Sequence, residues 1–527
     1  MQAVETEHGL HSSASITAEL SSTEQETSMK APALEAKAIF VAMTQLGSLQ
    51  LILALSGLVR NKVAAVYLKT TGMGEWSQIQ GVATTVFIIV QCGMIVGLSR
   101  DTAAAKSSEE RQRVLAVANT LMMAIALVTV SAAISLSLTA SKARLLNLLG
   151  IPASQGLMLL LLVVVLAPIE GLRNNYLSFL QGVLDIRGIA TKRGIAVVLA
   201  TIVAVPLVKS LGIAGACLQF ALTSVLLAVL LGQRCYQRGY RPLSFQWEQS
   251  SAISLATLGG ASLLGGFAYS LVDVLVRSQL IRFAGLSETG LYQAAFLLSS
   301  QVTQIVLGSI GVFSLASISG LTKPKDIGQQ LHAMYRVILP ISAVGLGLLG
   351  LLERPLVQLL FSSQFKSSSV FLPLLLIGNG VQAACWIAGA PLLGCGLVRT
   401  WLTLQITGAS IRYLTVIALL PVVGIQAIPL AFLLGQAFDL IASLIVCSRS
   451  LKIETSGAHL AGIAFSSTLP GALALIGLYP TPTAFCGGVI VLIVGAVILA
   501  PAQATRFAAT ATGTAVRYCS RSRAKCL

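Results

Sequence analysis

From Ile39 onward the chain alternates between apolar runs of about twenty residues and short polar breaks. Each run is long enough to cross a hydrocarbon layer about 30 Å thick as a helix, and none shows the two-residue alternation of a membrane barrel strand. The runs predict six spans in a first half, at about 39–66, 78–98, 114–136, 156–180, 190–208 and 213–232, and six in a second half, at about 252–283, 290–313, 333–352, 368–393, 401–422 and 425–447. Two more follow near 458–478 and 484–502. The expected fold is an all-α integral membrane protein of about fourteen transmembrane helices, arranged as two pseudo-symmetric six-helix bundles plus two C-terminal helices.

The polar stretches set the expected boundaries. Residues 1–37 hold six glutamates, two lysines and no apolar run, which predicts a disordered cytoplasmic tail. They lack the basic start and short apolar core of a cleavable signal peptide, so the first span is expected to direct insertion, and Met29 is an alternative start. The first bundle then covers 38–232, a basic connector with Arg234, Arg238 and Arg241 covers 233–249, and the second bundle covers 250–447. The two additional helices occupy 448–503, and a basic tail with Arg517, Arg521, Arg523 and Lys525 occupies 504–527.

Composition agrees with this pattern: 55% of residues are hydrophobic and 10% are charged, against about 25% charged in a soluble domain. The net charge of +16 comes from Lys and Arg scattered singly through short loops, which excludes a nucleic-acid face. Counted over alternate loops, the basic residues favour a multi-pass membrane protein with both termini cytoplasmic. The inner loops on this count include Arg100, Arg111, Arg187 and Arg193. Nine cysteines without a CxxC, mostly inside apolar runs, read as small core residues, and the four histidines suggest no metal site.

A repeat suggests where function sits. Asp273 and Arg277 lie one turn apart in an apolar helix that breaks at Gly285 and restarts at Gly290-Leu291-Tyr292-Gln293; 217 residues before Arg277, Arg60 ends an apolar run ahead of Gly74-Glu75-Trp76. Duplicated bundles with a site between them are a common transporter plan, so Arg60 and Arg277 are expected to face each other across a central cavity. An ionisable side chain at mid-membrane costs on the order of 3 kcal/mol and calls for a partner, a wet cavity or an escape to the interface. Asp273 is suited to steady Arg277 by an i, i+4 pair. Glu170 and Arg173, beside Pro168, either neutralise each other at a kink or act in coupling. Arg412 and Asp439 fall at similar depth on neighbouring helices, fitting either a salt bridge or a substrate or proton site.

No Walker A loop, HExxH, GxSxG or acidic metal cluster occurs, and no gap between spans exceeds about 20 residues. An enzyme with a soluble catalytic loop is not expected.

Several stretches resemble the Wzx-type flippases of bacterial lipid-linked oligosaccharides, in the multidrug/oligosaccharidyl-lipid/polysaccharide exporter superfamily. They are RNKVAAVYLKTTGMGEWSQIQ from Arg60, GMIVGLSRDTAAA from Gly93, VRSQLIRFAGLSETGLYQ from Val276, YRVILPISAVGLGLLGLLERPLVQLLFSSQF from Tyr335 and LLLIGNGVQAACWIAG from Leu374. The likeness covers roughly residues 38–447. It implies a V-shaped pair of bundles that alternates between inward and outward opening. The implied cargo is an undecaprenyl-diphosphate-linked oligosaccharide, moved to the outer leaflet for O-antigen or other surface polysaccharide. By position, Arg60, Lys62, Arg100, Arg277 and Arg282 match places where such proteins hold basic residues. The implied partners are the lipid-linked oligosaccharide, membrane lipids, a polysaccharide polymerase and a chain-length regulator. No cofactor or metal is implied, and proton or sodium coupling is left open. Two rivals stand beside this reading: a cation-coupled multidrug exporter of the same superfamily, and a non-transporting membrane subunit or enzyme of polysaccharide assembly.

Overall fold

The computed structural model describes the backbone of residues 12–478 and 487–495, apart from positions 92, 140, 320, 322, 454–456 and 493, with side chains from Ile52 onward except also at 95, 96, 258, 261, 262, 306, 308–317, 319 and 457–459. The basic tail at 504–527 lies outside the described residues, as does much of the last expected span. Among the described residues, thirteen α-helices account for most of the backbone. They are α1 (Ser12–Gln91), α2 (Met94–Ala104), α3 (Ser108–Leu138), α4 (Lys142–Leu148), α5 (Gly156–Gly182), α6 (Ile186–Gln237), α7 (Gln249–Ser319), α8 (Pro324–Leu351), α9 (Glu353–Leu360), α10 (Leu372–Gly394), α11 (Val398–Val423), α12 (Ala427–Ser450) and α13 (Gly457–Gly477). Helical backbone thus begins at Ser12, inside the stretch whose composition predicts a tail; its Glu, Ala and Leu content has good helix propensity without supplying a face to bury.

Eight helical stretches among the described residues are long and apolar enough to cross a membrane, and Ile186–Gln237 and Val398–Ser450 are long enough to cross twice. They do so by folding back at sharp corners. The α1 backbone turns at Lys69 (φ 59°, ψ −169°), α6 at Gly212 (φ 56°, ψ −127°), α7 at Gly285 (φ 86°, ψ 177°), and the α11–α12 pair at Gly424 (φ 68°, ψ −149°). Counting each limb, α1 to α6 make six crossings and α7 to α12 six more; α13 and the helical residues near 490 add two. The fold is the expected one.

The corners also measure the internal duplication. Lys69 and Gly285 are 216 residues apart, and Gly212 and Gly424 are 212 apart. At the opposite end of the bundle, Leu184 and Gly396, with φ of 56° and 79°, are again 212 apart. Only glycine takes a positive φ without cost, so three paired corners at nearly constant spacing mark two copies of one plan.

Packing follows membrane rules. Large apolar residues such as Leu127, Leu161, Ile202, Val229 and Leu414 point outward, where lipid solvates them, while small residues line helix contacts. A Cβ on Gly93 would lie 1.8 Å from the Gly259 carbonyl oxygen, and one on Gly378 2.6 Å from the Phe432 ring. The longest interface joins α1–α2 to α7, one helix system from each half. It runs from the Lys69/Gly285 corners down to Arg100 and Ser254 at the other end.

The segment between α6 and α7 is shorter than the expected connector, because α6 continues to Gln237, with Arg234 in its last turn against the helix dipole. Asp185 caps the start of α6 and accepts from Arg234 Nε at 2.6 Å and Arg238 Nη2 at 2.8 Å. Burial alone would raise this carboxyl; hydrogen bonds and charge from Arg234 and Arg238 outweigh that and hold it well below the usual carboxylate range. Gln112 and Asn119 of α3 then hold the backbone of Arg241 and Pro242.

Candidate functional site

A cavity of about 430 Å³ opens among α1, α5, α6 and the second limb of α7. Three arginines reach it. Arg60 stands on the first limb of α1, nine residues before the corner at Lys69; Arg173 is on α5 and Arg193 on the first limb of α6. At about 1.5 Å rise per residue, Arg60 lies on the order of 10–15 Å nearer the corner end than Arg193. Arg173 is neutralised by Glu170 at 2.6 Å, and Glu170 also accepts from the Ser224 hydroxyl. Arg60 and Arg193 have no carboxylate partner among the described residues, and no Asp or Glu lines the cavity.

The other wall is uncharged. Gln293, Gln301 and Gln304 line it from α7, with Gln80 and Trp76 from the second limb of α1 and Gln219 from α6. Among the described residues no group of His, Cys, Asp and Glu is arranged to hold a metal ion.

Arg277 is elsewhere. It is buried, its Nε donates to Gln78 Oε1 at 3.2 Å, and its guanidinium lies so close over Gly81 that a Cβ there would sit 2.1 Å from it. The two arginines do not face each other across the cavity. At the 216-residue spacing of the corners Arg60 matches Val276 and Arg277 matches Asn61, so they are not equivalent positions. Arg60 lines the cavity, whereas Arg277 is buried against Gln78 and Gly81 of α1.

Asp273 also departs from expectation. Its ion pair is with Arg412, at 2.6 Å, while Arg277 feels the Asp273 charge only from beyond ion-pair distance; Arg412 also stacks 5.2 Å above the Phe432 ring. Asp439 does not pair with Arg412 but accepts from the Tyr269 hydroxyl, packed over Gly408, where a side chain would fill its place. The four charges therefore divide into an Arg412–Asp273 bridge, a Tyr269–Asp439 contact and Arg277, hydrogen-bonded to Gln78.

Lys62 and Arg282 lie at the corner end, outside the cavity lining, and act as clasps. Lys62 Nζ donates to Leu359 O at 2.8 Å, at the C-terminus of α9 in the second half. Arg282 Nη2 donates to Asn147 O at 2.8 Å, at the C-terminus of α4 in the first half, with Ser278 Oγ on Leu148 O at 2.6 Å. The two carbonyls, of residues 147 and 359, are 212 apart, so the clasps are reciprocal: each half holds the short helix of the other by its negative end. Arg100, at the opposite end, is half exposed, pairs with Asp101 at 2.6 Å and reaches Ser254 Oγ at 3.0 Å.

Arg193 was not singled out from the sequence, where it reads as an inner-loop residue. Asp185 carries the missing signal: as an N-cap it starts the helix at Ile186 and puts Arg193 two turns inside.

The two six-helix halves, with a cationic hollow among α1, α5, α6 and α7, share their overall fold with solved flippases and multidrug transporters. Solved structures with this fold include the lipid II flippase MurJ in an inward closed conformation, with a TM-score of 0.66, 14% identity and coverage of 86% of this chain and 97% of that one. They also include an inward-facing multidrug resistance MATE transporter of the MOP superfamily, with a TM-score of 0.61, 14% identity and coverage of 81% and 98%. No protein-family profile matches the sequence. Among characterised proteins the chain is 22% identical over 360 residues to the lipid III flippase of Escherichia coli (strain K12), covering 67% of this chain and 84% of that protein. The lipid III flippase of Shigella flexneri matches to the same extent.

Proposed function

We propose that the protein is a flippase of the bacterial inner membrane that moves an undecaprenyl-diphosphate-linked oligosaccharide from the inner to the outer leaflet, for O-antigen or other surface polysaccharide, by alternating access. One observation carries the reading: a cavity between helices holds Arg60 and Arg193 without a counter-carboxylate. Two guanidinium groups kept from pairing in a low-dielectric hollow are suited to phosphate oxygens, which they bind through forked hydrogen bonds. The similarity to lipid III flippases supports a lipid-linked cargo. Both termini are taken as cytoplasmic, which puts Arg193 nearer the loading side and Arg60 nearer the release side.

A cation-coupled multidrug exporter would need an acidic group free to meet a cationic drug or coupling ion in this cavity. Glu170, beside the lining residues Arg173 and Ser224, is committed to both of them.

The test is deletion of the gene followed by complementation. Loss should cause undecaprenyl-linked intermediates to accumulate on the inner leaflet. Wild type should clear them, whereas Arg60→Ala with Arg193→Ala should not, at equal protein level. Clearance by that double variant would refute the reading.

A further inference from the structure

The arginines occupy one side of the cavity, and what faces them is a different surface. On the second limb of α7, Gln293 and Gln304 are eleven residues apart, three turns of helix, and so share a face; Gln301 borders it and Gln80 stands across from it. The stripe is about 16 Å long and runs from the level of Arg60 to the level of Arg193. Gln293 is nine-tenths buried, yet its Oε1 has no hydrogen-bond partner among the described residues. An amide left unsatisfied inside a membrane protein is costly, so its persistence at a cavity wall points to a ligand that completes it. Each amide offers two donors and an acceptor and no charge. Trp76, on the same cavity, presents an apolar ring held edge-on by Phe220 at 6.0 Å.

We infer that this glutamine stripe, with Trp76, is a binding wall for the uncharged, hydroxyl- and amide-bearing sugars attached to the lipid diphosphate. The inference rests on the proposed function and adds to it. The anionic linkage is held by the first half and the sugars by α7 of the second together with Trp76 of the first, so one ligand touches both halves. Paired donors and acceptors fit sugar hydroxyls and acetamido groups, whereas an acidic sugar would find no cation on α7 between Gln293 and Gln304.

The experiment compares two probes on the purified full chain by native mass spectrometry: undecaprenyl diphosphate, and undecaprenyl diphosphate bearing one N-acetylglucosamine. Wild type should bind the sugar-bearing lipid about tenfold more tightly, the worth of one or two net hydrogen bonds. In Gln293→Leu and Gln304→Leu the ratio between the two lipids should fall toward one; because the readout is a ratio, a general loss of folding cancels. Equal binding of both lipids by wild type, or a preference that survives both leucine variants, overturns the wall. Arg60→Ala with Arg193→Ala should weaken both lipids together. Failure of that result alone sinks the proposed function and leaves the glutamine ratio to be read separately.

Discussion

Gly74 and Gly290 are 216 residues apart and pack against each other across the corner end. A Cβ on Gly74 would lie 2.1 Å from Leu286 O, and one on Gly290 would lie 2.0 Å from Thr70 O. Leu286 and Thr70 are themselves 216 apart, so this is one contact made twice about a pseudo-twofold axis, and a backbone carbonyl cannot move aside as a side chain would. Gly74→Ala or Gly290→Ala should therefore push the two corners apart. Thr70 and Ser287, whose hydroxyls are 2.9 Å apart, report the movement. Thr70→Cys with Ser287→Cys should cross-link readily alone and at least several-fold less when either alanine is added. Unchanged cross-linking would contradict the close seal.

The Arg412–Asp273 bridge makes a distinct prediction. Removing one partner strands a buried charge, at a cost of about 3–5 kcal/mol for a fully buried pair and less here because Asp273 is partly exposed. Arg412→Ala and Asp273→Ala should each lower the yield of folded protein in detergent. Arg412→Asp with Asp273→Arg should restore part of it, while Arg412→Asp with Asp439→Arg should not. Rescue by the second swap would mean that Arg412 pairs with Asp439 in the folded protein.

At the opposite end, Asp185 joins the start of α6 to Arg234 and Arg238. A carboxyl whose folded pKa is depressed adds stability above its unfolded value, near 3.9, and loses it only as pH falls through the lower folded value. Asp185→Asn should thus lower thermal stability by an amount that stays constant between pH 5 and 9. A deficit that changes across this range, measured by thermal unfolding in detergent, would contradict the assignment.

Glu353, the first residue of α9, is fully buried, and neither carboxylate oxygen has a hydrogen-bond partner among the described residues. Burial raises its pKa to about 8 against the opposing charge of Arg354. The folded state then keeps a proton that the unfolded state releases above about pH 4.3, so this group lowers stability as pH rises from there to about 8, and the loss is complete above that. Glu353→Gln should be more stable than wild type at pH 8, by a few kcal/mol at most, and the gap should narrow toward pH 5. A gap independent of pH would place the proton elsewhere.

The helices were readable because a membrane span needs little more than about twenty apolar residues, and composition states that directly. Corners were harder. Gly212, Gly285 and Gly424 announce themselves as glycines, but Lys69 takes a conformation nearly reserved for glycine, and no residue preference marks it. Charged side chains were harder still, because their roles depend on helix phase. Arg60 and Arg277 look equivalent along the sequence, yet one lines the cavity and the other is buried against Gln78 and Gly81. Asp273 lies one turn from Arg277, yet Arg412 reaches it from another helix, and no local spacing signals that. Arg193 could have been found from its cap; Lys62 and Arg282 could not, since their partners are backbone carbonyls that every residue carries.

Duplication copied the bends of this chain and some of its loop charges, Arg187 answering to Arg399 and Arg111 to Lys323, but not the arginines within the spans. At the corner spacings Arg60 answers to Val276, Arg173 to Cys385, Arg193 to Gln405 and Arg412 to Ala200. The skeleton is therefore symmetric and its electrostatics are lopsided. An anion in the hollow would be gripped from one side only, so when the halves rock apart it would stay with the first, like a passenger belted to one of two doors. Exchange of the two halves in chain order would preserve the silhouette of the molecule and reverse the direction in which that passenger faces.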